Sequence, residues 1–276
     1  MTNPTGSDPE AFRAFEHAGW QKIVDQYEQY FTELTAQTVH PLLDVAGVRA
    51  GMRVLDVATG PGLVAAAAAA RGAKVSGLDF AAGQVALARR KYPALEFVEG
   101  DAENLTFPAG SFDAVVINFG MLHFPNPEKA LAEAAHVLKS GGRVAFTVWA
   151  APEKSVGFGL ILQTIQRLGN MNVPLPAGPP FFRFSDHEEC RRALRGAGFV
   201  KVEVQDVIQT WRLPSSDMLF DSLLQGSVRT AALLRAQTLE AREAIRDALR
   251  EAARAYQRAG RIEIPMSAVL AAATKP

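Results

Sequence analysis

The chain has 276 residues, 48% of them hydrophobic, with 29 basic and 29 acidic side chains and a formal net charge of zero. That length and apolar fraction suit one large domain, and the balanced charge leaves no electrostatic footprint for nucleic acid. A single cysteine, Cys190, excludes an intrachain disulfide and argues against a thiolate-held metal; on its helix it reads as an incidental surface residue.

Residues Met1 to Glu10 are polar, with neither the basic nor the apolar region of a signal peptide. No apolar run nears the roughly 18 residues needed to span a bilayer, so the expectation is a cytoplasmic protein without membrane insertion. From Pro9 to Val48, Trp20, Ile23, Val24, Tyr27, Phe31 and Leu34 recur at helical spacing. Residues 1–48 are therefore expected to form an N-terminal helical cap.

From Arg53 to Ala151 short apolar runs alternate with helical stretches. Strands are expected at Val54–Ala58, Lys74–Leu78, Leu95–Glu99, Asp113–Asn118 and Gly142–Trp149. Several are apolar on both faces, as in a parallel sheet covered on both sides. The helix before the fifth strand carries its own signposts: Asn126 as cap, Pro127 at its first position, and Gly141-Gly142 as its end. Leu131, Ala134, Ala135 and Leu138 supply its buried stripe.

After Trp149 a helix is expected at Val156–Leu168 and another at Ser185–Gly196 with Ser185 as cap. Phe199–Leu213 reads as a strand, Asp217–Gly260 as helical, and Ile262–Thr274 as the final strand. Glu243 with Arg246, Asp247 with Arg250, and Glu251 with Arg254 mark a solvated helix face. Residues 49–151 are expected as the ligand-binding core, and 152–276 as the rest of the same domain with helical insertions over the substrate.

The glycine turn Asp56-Val57-Ala58-Thr59-Gly60-Pro61-Gly62 joins a strand to a helix, a corner where the backbone can approach a nucleotide closely. Asp56, Asp79, Asp101 and Asn118 all fall at or near strand ends, where doubly wound sheets bind ligands. Asp79 lies roughly 20 residues past the turn, the spacing at which a carboxylate meets ribose hydroxyls. NAD-binding enzymes share those features. The second acidic site, Gly100-Asp101-Ala102, favours a different cofactor: its carboxylate can accept from an adenine amino group, and the Ala102 N–H can donate to a ring nitrogen.

Taken in order, Val54 to Gly62, Gly77-Leu78-Asp79, Gly100-Asp101-Ala102, Phe112-Asp113-Ala114-Val115 and Leu138 to Arg143 resemble a class I S-adenosylmethionine (SAM)-dependent methyltransferase, closest to the UbiE-like small-molecule branch. The resemblance covers about residues 45 to 150. Ala58 departs from it, standing where the first glycine of the acidic-x-Gly-x-Gly-x-Gly pattern is usual.

The resemblance implies an α/β, Rossmann-like, doubly wound sheet of seven mostly parallel strands, the last antiparallel. It implies SAM as cofactor, S-adenosylhomocysteine (SAH) as product, and no metal. It assigns the methionine part of SAM to Asp56, Ala58, Thr59, Gly60 and Gly62. The ribose falls to Asp79, the adenine to Phe80, Gly100, Asp101 and Ala102, and the reactive sulfonium to Asn118 and Phe119. Trp20 and Tyr27 are candidates to fold over the cofactor, with plain helix packing the competing reading.

A base is needed only when the nucleophile carries a proton that must leave. His123, just beyond the fourth strand, is the best-placed candidate, and a loop-shaping role is its alternative. Phe181, Phe182, Arg183 and Trp211 are the candidate substrate residues, in a lining that favours a small apolar or aromatic acceptor methylated on oxygen or carbon. Arg183 has a second reading, as the partner of a nearby carboxylate. Expected partners are a small-molecule acceptor and no nucleic acid, with a homodimer left open.

Rival readings differ in class. A SAM-binding sensor, cyclase or isomerase would share the fold without methyl transfer. An NAD(P)-dependent oxidoreductase lacks a Tyr-x-x-x-Lys pair after the fourth strand. A nucleic-acid methyltransferase would want Asn/Asp-Pro-Pro-Tyr where Asn118-Phe119-Gly120-Met121 stands.

Overall fold

In the computed structural model, which describes residues 8–276, the N-terminal segment folds as three helices. They are α1 (Pro9–Lys22), α2 (Val24–Thr35) and α3 (Val39–Val45). The reading that no signal peptide precedes them falls largely on residues 1–7, outside the described residues. Asp8 starts α1 by accepting from the backbone N–H groups of Glu10 and Ala11, the ordinary device for satisfying free donors at a helix start.

Strands and helices then alternate: β1 (Arg53–Val57), α4 (Leu63–Ala70), β2 (Lys74–Asp79), α5 (Ala82–Lys91), β3 (Glu96–Glu99), β4 (Phe112–Asn118), α6 (Pro127–Val137) and β5 (Leu138–Trp149). The second half adds α7 (Val156–Leu168), α8 (His187–Gly196), β6 (Val200–Val207), β7 (Thr210–Leu213), α9 (Met218–Gly226), α10 (Arg229–Arg235), α11 (Leu239–Arg254), β8 (Gln257–Arg258), β9 (Arg261–Pro265) and β10 (Ala268–Thr274).

Seven strands form one sheet in the order β3-β2-β1-β4-β5-β10-β6, with β10 antiparallel to both neighbours. Alternation along the central strands divides the core. Leu55, Val57, Val115 and Ile117 face one apolar layer, and Val54, Ala114 and Val116 the other, as the period of two requires. The strand order reverses between β1 and β4, both parallel to their neighbours. Such a switch point leaves a crevice beyond the carboxyl ends of the strands.

Several local expectations need correction. Asn126 does not cap α6 with its side chain; its Nδ2 and backbone N–H donate to Glu103 instead. That helix ends at Val137, so Leu138 opens β5, and Gly141-Gly142 lies in an irregular stretch of the β4–β5 pairing. Asp186, not Ser185, caps α8, while the Ser185 hydroxyl donates to Phe182 O. Cys190 is fully buried, and burial pushes its thiol up to about 12. Of the three surface pairs on α11, Asp247–Arg250 and Glu251–Arg254 form; Arg246 reaches Asp221.

The two long strands expected late in the chain are each broken in two. Val200–Val207 and Ala268–Thr274 pair in the main sheet, whereas Thr210–Leu213 and Arg261–Pro265 pair in a second sheet of order β7-β9-β8. Gln209 sits at the break, buried, with its Nε2 donating to Leu34 O of α2. One antiparallel ribbon thus leaves the sheet and runs under the helical cover.

In the turn after β1, Gly60 and Gly62 have φ of +53° and +84°, and Ala58, without a glycine's freedom, has +54°. Left-handed backbone costs an L-residue about 1 kcal/mol or more. Replacing Ala58→Gly is expected to stabilise the protein by about 0.5 kcal/mol, the relieved strain less the added freedom of the unfolded chain. Urea unfolding checks this; a loss of stability would show that the Ala58 methyl packs to advantage.

Candidate functional site

Two buried carboxylates fasten the crevice. At the end of β1, Asp56 Oδ2 accepts from Thr59 Oγ1 at 2.6 Å and from the Ala65 N–H, in the first turn of α4, at 3.0 Å. At the end of β2, Asp79 Oδ2 accepts from the Gly60 N–H at 2.8 Å and Oδ1 from the Ala81 N–H at 3.0 Å. Burial pushes the Asp56 carboxyl up to about 7 and that of Asp79 up to about 6, against the pull of these hydrogen bonds.

Above them lies a cavity of about 700 Å³, its solvent-filled mouth included. Ala58, Gly60, Asp79 and Phe80 form one side; Gly100, Asp101 and Ala102 another; Asn118, Phe119 and His123 the third. Trp20 and Tyr27 close it from the N-terminal helices. Asp56, Thr59 and Gly62 do not line the cavity. Asp56 and Thr59 are 1% and 5% exposed and hold the turn from beneath. A Cβ on Gly62 would stand 2.9 Å from the Phe97 ring, so that glycine serves the packing of α4 on the sheet.

Neighbours fix each lining group. Asn118 Oδ1 accepts from Thr38 and Thr147 hydroxyls at 2.8 and 2.6 Å, and its Nδ2 donates to Thr35 O at 3.2 Å. Phe119 is held at φ +55° with its ring stacked on Trp149, centroids 4.0 Å apart. Such a left-handed bulky residue is uncommon and concentrates at functional sites.

His123 Nδ1 lies 3.0 Å from Glu16 Oε2, which also accepts from Trp20 Nε1 at 3.0 Å. A carboxylate oxygen only accepts, so this contact places a proton on Nδ1, and in the neutral imidazole Nε2 is then the acceptor. Glu16 itself is fully buried. Burial raises the Tyr27 hydroxyl to about 12, keeping it neutral at physiological pH.

Asp101 is already engaged. Its Oδ2 meets Arg13 Nη1 at 2.5 Å, its Oδ1 accepts from the Glu103 N–H, and Arg13 also pairs with the buried Glu103. Sequence reasoning passed over Arg13, Glu16 and Glu103. A signal existed on α1: Arg13, Glu16, His17 and Trp20 stand at i, i+3, i+4 and i+7, a polar stripe where a core-facing helix would be apolar.

A second, apolar chamber adjoins the first. The two share Trp20, Tyr27, Phe119 and His123 as a common wall, and the chamber is closed by Phe158 and Phe181. Phe158, Phe181 and Arg229 lead on to an outer pocket that Phe182 lines. Two expected substrate residues lie elsewhere. Arg183 pairs with Glu128 and Glu189 beside the Phe184 ring, the alternative foreseen for it. Trp211 is 2% exposed, packs on Phe31 and donates to Tyr30 O, so it belongs to the core. Among the described residues no group of three or more His, Cys, Asp or Glu side chains is placed to hold a metal ion, and no helix is long and apolar enough to cross a membrane.

Comparison with known proteins bears on this site. A family model described as a methyltransferase domain matches residues 55–146. The chain is 33% identical over 194 residues to a demethylmenaquinone methyltransferase of Clavibacter sepedonicus, covering 64% of this chain and 74% of that protein. It is 45% identical over 125 residues to the one of Thermus thermophilus, covering 43% and 56%. It is 40% identical over 111 residues to the one of Renibacterium salmoninarum, covering 40% and 47%. The match thus spans about half the length of the latter two. Among solved structures, a protein of Bacillus halodurans described as a methyltransferase superposes with a TM-score of 0.54 at 23% identity, covering 86% of this chain and 98% of that one. A phosphoethanolamine N-methyltransferase of Haemonchus contortus superposes with 0.60 at 19%, covering 96% and 60%. These two support the fold.

The raised carboxyls carry a pH signature. Both bind a proton more tightly in the fold than in the unfolded chain, whose value is 3.8. Their stabilising effect is full below about pH 4 and is lost as pH rises through about 6 to 7. Measured against Asp79→Asn, which stays neutral, the thermal midpoint of the wild-type protein is expected to fall between about pH 4 and pH 7. A constant difference across that range would mean that Asp79 is not raised.

Proposed function

The chain belongs to the class I SAM-dependent methyltransferases, in their UbiE-like branch, and from that footing we propose that it methylates an oxygen or carbon of a small apolar or aromatic acceptor. The observation that carries this reading is the shared wall. His123 and Phe119 line both the cavity suited to the cofactor and the apolar chamber suited to the acceptor. A transfer enzyme needs its two substrates on either side of one boundary, aligned and dry, because positioning supplies much of the rate.

The residues fit SAM. Each Asp79 oxygen accepts one backbone N–H and retains capacity for a ribose hydroxyl. Gly60 leaves the adjoining space open, since a Cβ there would meet no atom within 4 Å. Phe80, Ala102 and the remaining lone pairs of Asp101 suit an adenine, with Arg13 keeping the Asp101 carboxylate in place. Trp20 and Tyr27 close over this side, in keeping with a capping role for residues 8–48. Bound SAM supplies a methyl group activated by its sulfonium, with SAH as the departing product.

His123 Nε2 takes the acceptor's proton as the acceptor oxygen gains its methyl group. Glu16 holds the imidazole in the required tautomer and stabilises the imidazolium that results. Phe119 and Trp149 keep water from the boundary. The name carried by the curated relatives and the balanced charge support a small-molecule acceptor rather than nucleic acid.

Two measurements test this. Calorimetry is expected to show micromolar binding of SAM and SAH and none of NAD⁺, with Asp79→Ala about 100-fold weaker in SAM. NAD⁺ binding alone would sink the reading. Transfer of labelled methyl to a panel of phenols and quinols is expected to fall about 10²- to 10⁴-fold in His123→Gln with SAM affinity kept. Unaltered turnover removes His123 as base.

A further inference from the structure

Arg229 stands where the inner chamber meets the outer pocket, lining both. Among the described residues that line either space it is the one arginine or lysine, and no aspartate or glutamate is among them. Its surroundings are those of a cation without a counterion. The rings of Phe12 and Phe181 flank the guanidinium, each centroid 5.3 Å from Cζ. Its hydrogen bond, from Nη1 to Leu122 O, is long at 3.5 Å. Among the described residues no carboxylate forms an ion pair with it. Arg13 and Arg183, by contrast, each pair with two or more carboxylates. Burial pulls the Arg229 pKa down from its ordinary value, with the Glu16 charge acting against the shift.

An arginine carries five N–H donors in a rigid fork. Arg229 is partly buried, none of its nitrogens is both sealed from solvent and without a partner, and its remaining donors open into the two spaces it lines. A ligand that brings a planar anion takes up those donors in place of water. The charge balance selects which anion. Arg229 is the one arginine or lysine facing the two spaces, and the nearby Glu16 already adds negative charge, so a singly charged carboxylate suits the site better than a dianionic phosphate. A carboxylate also matches the fork in two parallel hydrogen bonds.

Resting on the methyl-transfer reading, we infer that Arg229 binds a carboxylate of the methyl acceptor, which makes the acceptor an apolar or aromatic acid whose nucleophilic atom faces His123. Phe158 and Phe181 then hold the acceptor's apolar body between its two polar ends. Arg229 acts as a specificity-determining residue: it fixes which end of the acceptor enters the inner chamber and contributes nothing to cofactor binding, since it does not line the cofactor cavity.

The test titrates the full chain, with and without SAH, with two matched pairs: para-hydroxycinnamate against para-hydroxycinnamyl alcohol, and decanoate against decanol. The expected result is that at least one acid binds about tenfold or more tightly than its alcohol. Arg229→Gln should abolish that preference with SAH affinity and thermal midpoint unchanged. Arg229→Lys, which keeps the charge and loses the fork, should retain part of it. Equal binding of acid and alcohol, binding of none of the four, or a preference that survives Arg229→Gln overturns the inference. Failure of SAH to bind while the acid preference holds would overturn the methyl-transfer reading and leave the anion site standing.

Discussion

The crevice depends on two carboxylates placed at the ends of neighbouring parallel strands. Asp56 and Asp79 each sit where a strand stops and a helix is about to begin, where free N–H donors face inward without partners. Each answers those donors with an acceptor from the strand itself, and each also holds the glycine turn, through Thr59 and Gly60. Burying two carboxyls on neighbouring strands is costly, which is why their proton affinity rises. The gain is a glycine turn tied to the ends of both strands.

The core of the fold was legible because its signals are local. Strand, turn and helix follow within a dozen residues around Asp56, and the spacing to Asp79 and Asp101 carries the rest. The late strands were misread for a physical reason. Phe199–Leu213 and Ile262–Thr274 each serve two sheets: the first breaks around Gln209, where no glycine or proline stands, and the second just after Pro265, a punctuating residue that the single-strand reading passed over. Apolar residues run on through both breaks, so the pattern alone does not reveal that the partner changes halfway along.

The site divides in the same way. Motif residues such as Asp79, Asn118 and Phe119 fell on the cavity because strand ends place them there. Arg183 and Trp211 stand in segments where the resemblance places an acceptor pocket, and the chain uses their chemistry for an ion pair and a core contact instead. Glu16 and Arg229 come from helices whose docking is set by tertiary packing. Only the polar stripe of α1 hinted at one of them, and nothing local to α10 hinted at the other.

The placement of β10 sets an order of events for assembly. It lies between β5 and β6, so β6 reaches the sheet only through a strand that comes after the whole helical cover in sequence. Until β10 inserts, the open edge of β5 exposes a row of unpaired backbone groups, a template for the wrong partner. Long-range pairing of this kind slows folding and lengthens the life of aggregation-prone intermediates. The β5–β10–β6 edge of the sheet therefore closes only once the C-terminal strand is available, and any chaperone dependence is expected to concentrate there.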